Sequence, residues 1–190
     1  SIDSTSLVLQ KLSSKLPGEI KIIRRGNLGA SYSTNQAVKM AKGYWIRLLD
    51  GDDLVTYRST TKMLYLANFY KVSFVYGLIS KGNFKEFSSL FKYEKQSREK
   101  GLRKFIRNCP ANSSTILVSK RRFISSGGCN ETFISPDQVL FLRLFSKGSA
   151  VFLNQVVARL PKEQSLDRLS SQVKRSRYES ILALINFCKE

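Results

Sequence analysis

Tyr44-Trp45-Ile46-Arg47-Leu48-Leu49-Asp50-Gly51-Asp52-Asp53 is the stretch on which the reading of this chain turns. The run from Tyr44 to Leu49 has the length and apolar content of a buried strand, and three carboxylates follow it within four residues. Held together at one strand end, such charges repel unless something positive sits between them, and a divalent cation with oxygen ligands is the natural candidate. The competing reading is a plain turn, because Asp and Gly dominate turns for backbone reasons alone. With only 14 acidic residues against 32 basic ones, the chain is not one in which such a cluster is casual.

Upstream, Asn27-Leu28-Gly29-Ala30-Ser31-Tyr32-Ser33-Thr34-Asn35-Gln36-Ala37 leads through Ala41-Lys42-Gly43-Tyr44 into the strand. Read as N-x-G, A/S-x-N-x-A, A-x-G-Y and L-D-x-D-D, this order resembles the inverting family-2 glycosyltransferases of GT-A fold. Ser1-Ile2-Asp3-Ser4-Thr5 resembles the tail of that family's D-D-G-S-x-D-x-T segment, and Gly127-Gly128-Cys129-Asn130-Glu131 its G-G-F-D-E segment. Pro136-Asp137 with Leu140, Arg143 and Leu144 is similar to E-D-x-x-L-x-x-R-L, although Pro136 stands where an acidic residue is usual. One short motif is weak evidence; several in order are strong. The Q-x-x-R-W signature of the family's processive members is not in the sequence.

A length of 190 residues suits one domain, and 42% hydrophobic residues suffice for a packed core. No apolar run reaches the roughly 20 residues of a membrane-spanning helix, and the polar start has no signal-peptide pattern. Cys109, Cys129 and Cys188 fit no metal-ligand spacing and read as reduced thiols. The absence of histidine excludes His-based triads, His general bases and His-ligated zinc, leaving acid-base work to carboxylates, Lys, Tyr or Cys. The net charge of +18 attracts anionic lipid headgroups, nucleic acid or phosphorylated substrates, or else is a solvated surface. These features set an expectation of a cytoplasmic protein, peripheral on an anionic membrane.

Hydrophobic periodicity and breakers predict helices over 4–16, 30–42, 56–70, 101–108, 136–145 and 170–189, with a helical turn over 120–125. Ala37 and Met40 are placed on the buried side of the second, and Met63, Leu64, Leu66 and Phe69 on that of the third. Strands are predicted over 19–24, 44–49, 72–79, 114–118 and 150–160, with 82–97 a loop or short edge strand. Trp45 is read as core. Strands alternating with helices imply an α/β sheet. The resemblance sharpens this to a GT-A fold, Rossmann-like, with a mostly parallel mixed sheet flanked by helices. It lacks the family's N-terminal strand, helix and strand, so a fragment or an inactive remnant is expected.

The resemblance implies transfer of a sugar from a UDP- or GDP-sugar donor to a glycan or lipid-linked acceptor in cell-surface polysaccharide or lipid-linked glycan synthesis. It places Asp50 and Asp52 at the nucleotide-sugar and a Mg²⁺ or Mn²⁺ ion, Asp52 foremost at the metal, Asp50 orienting the ribose or the metal's water shell, and Asp53 assisting. Asp3, Asn27, Gly29 and Asn35 fall beside the nucleotide, Asn35 bracing its loop. Asp137 becomes the base for the acceptor hydroxyl, and Arg143 pairs with the diphosphate or holds Asp137. Each has a plainer role: Asp3 and Asp137 as helix caps, Gly29 in a strand-to-helix turn, Arg143 on the surface. Asn112-Ser113-Ser114 and Asn130-Glu131-Thr132 are sequons without meaning in the absence of secretion. The amphipathic helix over 170–189, with Ile181, Leu182, Leu184, Ile185 and Phe187, either docks on an anionic membrane or packs on the sheet. The alternative class is a basic nucleic-acid-binding module, resting on a pI near 10.1 and on Phe84, Phe87, Phe91 and Tyr93 among lysines. No recognised nucleic-acid motif supports it.

Overall fold

Period-2 alternation sorts the strand side chains onto two faces, and each face recruits its own helices. The computed structural model describes residues 4–24, 26–81, 92–109, 111–133, 137–160 and 173–189. In chain order the elements are α1 (Thr5–Ser13), α2 (Ala30–Met40), β1 (Trp45–Arg47), β2 (Leu54–Val55), α3 (Ser59–Phe69), β3 (Phe74–Lys81) and β4 (Tyr93–Gln96). There follow α4 (Arg98–Arg107), a 3-10 turn (Ser113–Thr115), β5 (Ile116–Ser119), α5 (Lys120–Ser125), α6 (Asp137–Ser146), β6 (Ala150–Leu160) and α7 (Val173–Lys189). The strands form one sheet in the order β1-β5-β3-β6-β2, with β4 also paired to β6.

The α/β mixed sheet agrees with the sequence, but its expected parallel majority does not. β5 runs antiparallel to both β1 and β3, and β2 and β4 run antiparallel to β6. Among the described residues only β3 and β6 pair in parallel. The reason is topological: β1, β3 and β6 share one direction, but β5 inserts between β1 and β3 and splits that pair.

On one face Phe74, Tyr76, Ile116 and Val118 meet Phe105 of α4 and Phe141 and Phe145 of α6. The rings interlock: Phe105 stacks on Phe141 with centroids 4.6 Å apart, and Phe145 meets Phe74 edge-on at 5.2 Å. Edge-to-face and offset pairs of this kind add to the burial energy. Tyr76 carries a hydroxyl into this core, and it donates to Gln96 Oε1 at 2.6 Å. Burial holds the Tyr76 phenol protonated well above its ordinary range. On the other face Val75, Leu117, Val151 and Leu153 meet Met63, Leu66 and Ala67 of α3, and Trp45 packs half-buried against that cluster as expected.

Other expectations are corrected. Residues 19–24 form no strand: Ile20 and Ile23 are exposed, and a strand without a partner has no ladder to stabilise it. α1 is shorter than expected and buries none of its residues, so Leu7, Leu9 and Leu12 face outward. α2 buries Ser31 and Val38; Ala37 is exposed and Met40 half-buried. α4 starts at Arg98 rather than Gly101, because Ser97 caps it by accepting the Lys100 amide at 3.2 Å. Of the segment 82–97, residues 93–96 form the edge strand, and 82–91 lie outside the described residues. Phe69, expected on the buried side of α3, is 62% exposed. β2 was not foreseen, being two residues long. Among the described residues no helix is long and apolar enough to cross a membrane.

α4 approaches α6 through Gly101, where a Cβ would land within the Phe145 ring. Gly101→Ala is expected to destabilise the chain by about 1–3 kcal/mol through overpacking. Gly26→Ala, whose Cβ meets nothing within 4 Å, serves as the neutral control in the same denaturant titration.

Candidate functional site

β1 ends at Arg47 and delivers the carboxylates into a tight turn closed by the Asp53 amide donating to the Asp50 carbonyl at 3.1 Å. The turn is clamped from across the sheet. Ser113 Oγ donates to Asp50 Oδ1 at 2.8 Å, and the Asp50 amide donates to Ser114 Oγ at 3.0 Å. Asn112 Nδ2 faces Asp53 Oδ2 at 3.4 Å, and Asp53 is only 6% exposed. The clamp is itself rigid, since the Thr115 hydroxyl and amide both donate to the Asn112 carbonyl, at 2.7 and 3.0 Å. Ser113, Ser114 and Thr115 are buried. Asp50 and Asp52 are exposed. Asn112-Ser113-Ser114, a sequon without meaning on sequence alone, is the clamp of this turn. The usable signal was three polar residues directly ahead of an apolar strand, where buried polar groups need partners.

A second anchor lies at the β6 bulge. The pairing of β3 with β6 shifts twice, between Gly77 and Leu78 and between Leu78 and Ile79. These shifts leave the Val157 carbonyl accepting from outside the ladder: from Arg47 Nη2 at 3.1 Å, the Thr56 amide at 3.2 Å and Ser59 Oγ at 3.3 Å. Arg47 Nη1 also donates to the Ile116 carbonyl at 2.7 Å. Burial pushes the Arg47 guanidinium down to about 10, so it stays charged at neutral pH. Arg47 and Thr56 flank the carboxylate turn, so one carbonyl holds both of its ends.

The remaining candidates gather elsewhere. Asn35 on α2 donates to the Cys129 carbonyl at 2.9 Å and to Glu131 Oε1 at 2.8 Å, and its Oδ1 accepts the Cys129 amide at 2.9 Å. Gly128 has φ +62°, and a Cβ there would lie 2.6 Å from Asn35 Oδ1, so this junction demands glycine. A Cβ at Gly127 would lie 3.5 Å from Arg143 Nη1, which puts that guanidinium beside the same loop. The Asn27 side chain accepts the Gly29 amide at 3.3 Å, and Gly29, at φ +86°, precedes the first residue of α2. Asn130, of the second sequon, accepts from the Thr132 amide and hydroxyl at 2.9 and 2.7 Å, an Asx turn. Asp137 is the first residue of α6. Asp3 lies outside the described residues.

The structure thus joins Asp50 and Asp53 to Asn112–Ser114, and Asn35 to the loop 127–131 with Arg143 alongside. Among the described residues, no three His, Cys, Asp or Glu side chains converge as a metal cage. The exposed Asp50 and Asp52 carboxylates offer hard oxygen donors, the kind that hold Mg²⁺ one or two at a time when substrate phosphates complete its shell.

Comparison with known proteins shows the family and the fold. The family model described as glycosyl transferase family 2 matches residues 1–131. The chain belongs to glycosyl transferase family 2, and its fold is of the GT-A class. Among solved structures it is similar to S. aureus TarS 1–349 in complex with UDP-GlcNAc, with a TM-score of 0.67 and 17% identity over 87% of this chain and 48% of that one. The same TarS fragment in complex with UDP gives 0.65 and 17%, over 85% of this chain and 48% of that one. A longer S. aureus TarS structure gives 0.65 and 18%, over 85% of this chain and 29% of that one. The chain therefore spans about half the length of the TarS 1–349 structures it matches. None of the curated protein sequences matches it.

Removing the Asn35 amide breaks the hydrogen bonds that tie α2 to the Cys129 backbone beside a buried glycine. Asn35→Ala is expected to cost about 1–3 kcal/mol in a denaturant titration, as for other unsatisfied buried polar groups.

Proposed function

We propose that this chain is the donor-handling part of a glycosyltransferase that moves a sugar from a nucleoside diphosphate to an acceptor hydroxyl. The observation that carries the reading is the Asp50–Asp53 turn at the end of β1, fixed by Asn112–Ser114, in a chain matched by the family over residues 1–131. The bond broken joins the anomeric carbon to the diphosphate; the bond formed joins that carbon to the acceptor oxygen, whose proton passes to a base. Asp137, at the start of α6, is the base, where the helix dipole favours a carboxylate. Arg143, beside Gly127, lends positive charge to the departing diphosphate.

Asp50 and Asp52 would hold Mg²⁺ or Mn²⁺, which would supply positive charge to the leaving phosphates. Ser113 and the Val157 carbonyl keep this turn in place, so little is reorganised when donor arrives. Asn27, Gly29 and Asn35 border the nucleotide, and Asp3 belongs to the same group. The acceptor is a glycan or lipid-linked glycan of the cell surface, met at the cytoplasmic face of a membrane. The UDP and UDP-GlcNAc bound to TarS make UDP the first nucleotide to try, ahead of GDP.

Calorimetry with UDP and GDP, with and without Mn²⁺, tests this. UDP binding that requires Mn²⁺ and weakens at least about tenfold in Asp52→Asn is expected, since that carboxylate is one of the few protein ligands. Metal-independent binding, or no loss in the variant, would overturn the metal assignment. No binding by the folded chain would overturn the donor site.

A further inference from the structure

Four aromatic side chains line one flank of the molecule. Tyr65 and Phe69 of α3 stack at 5.8 Å, Phe69 meets Tyr70 edge-on at 5.0 Å, and Tyr70 meets Tyr93 of β4 at 5.5 Å. Tyr65 and Phe69 are each 62% exposed and Tyr93 44%. These rings lie one turn apart on a helix and beside a sheet edge, so they form a continuous ladder and not scattered surface apolar residues.

The surroundings are cationic. Lys71 follows Tyr70, and Lys95 sits two residues from Tyr93 on the same face of β4; both are exposed. α3 has no acidic residue, and Glu94 points to the opposite side of β4, where it pairs with Lys100. We propose that this aromatic ladder and its lysines form a docking face for an anionic lipid surface. The amphipathic tyrosines and the Phe69 ring suit the headgroup boundary, and the lysines meet the lipid phosphates.

Two competing occupants fit less well. A second copy would bring another chain of net charge +18 against the first, which self-repulsion opposes. Nucleic-acid bases need open ring faces to stack on, and here the Tyr65 and Phe69 faces are turned on each other with an interplanar angle of 20°. α7, read from sequence as either a docking or a packing helix, packs Leu182, Leu184 and Phe187 partly against the core, while Ile181 and Ile185 stay exposed. The proposal is independent of the transferase reading, because it concerns α3 and β4 and not the carboxylate turn.

The test is co-sedimentation of the whole chain with vesicles of phosphatidylcholine alone and of phosphatidylcholine mixed with phosphatidylglycerol. Salt-sensitive binding to the mixed vesicles is expected. It should fall about tenfold in Tyr65→Ser/Phe69→Ser, which removes the inserting rings, and also in Lys71→Gln/Lys95→Gln. Arg103→Gln/Arg107→Gln on α4, which removes the same charge from another exposed face, should retain most of the binding. Equal binding by the wild type and the aromatic variant overturns the proposal, as does no preference for phosphatidylglycerol. A concentration-dependent dimer that the aromatic variant abolishes, without lipid binding, assigns the face to a second copy instead.

Discussion

The Val157 carbonyl is the constraint on which the site depends. It is available because β6 bulges where it passes Gly77, and the bulge in turn requires that Gly77 have no side chain, since a Cβ there would lie 2.5 Å from the Val157 methyl carbon. Once freed, the carbonyl gathers a guanidinium from the strand before the carboxylate turn, an amide from the segment after it and a hydroxyl from the first residue of α3. A buried cation is costly unless its hydrogen bonds are met. Arg47 meets part of that need through two backbone carbonyls on β5 and β6, so its burial also ties β1 to the middle of the sheet.

The clamp on the other side of the turn has a similar logic over a longer sequence distance. Ser113 and Ser114 reach Asp50 across more than 60 positions of chain, and they do so only because β5 pairs with β1 in a register that sets Trp45 opposite Ser119. The turn therefore takes its shape from the assembled sheet and not from local preference. Pairings of such separation form late and at an entropic cost, so a collapsed but unpaired chain would carry the carboxylates without their geometry. The junction of Asn35 with Gly128 and Cys129 behaves alike, linking α2 to a loop more than 90 positions away.

Much of this was legible in the residues. The apolar run ending in carboxylates, the glycine pair at 127–128 and the alternation of strands with helices all point to the fold that forms. What could not be read depends on partners. Residues 19–24 have the composition of a strand, yet composition supplies no neighbour. β5 reads as a strand whatever its direction, so its antiparallel insertion left no trace in periodicity. Phe69 lies at helical spacing from Leu66, but α3 turns only part of its apolar surface to the sheet. Asn112, Ser113 and Ser114 read only as a sequon, with Ser114 opening the predicted strand 114–118. The burial of Ser113 and Ser114 follows from contacts with a turn that lies far off in sequence.

Trp45 is the sole tryptophan in the chain, amid eight tyrosines. It stands on β1, edge-on to Tyr44 at 5.3 Å, on the strand that ends three positions ahead of Asp50. Its indole borders the cluster under α3 and so senses both the packing of that layer and any shift of the strand. The chain consequently carries its own optical probe: emission excited at the red edge of the protein band comes from one place only, and that place adjoins the carboxylate turn.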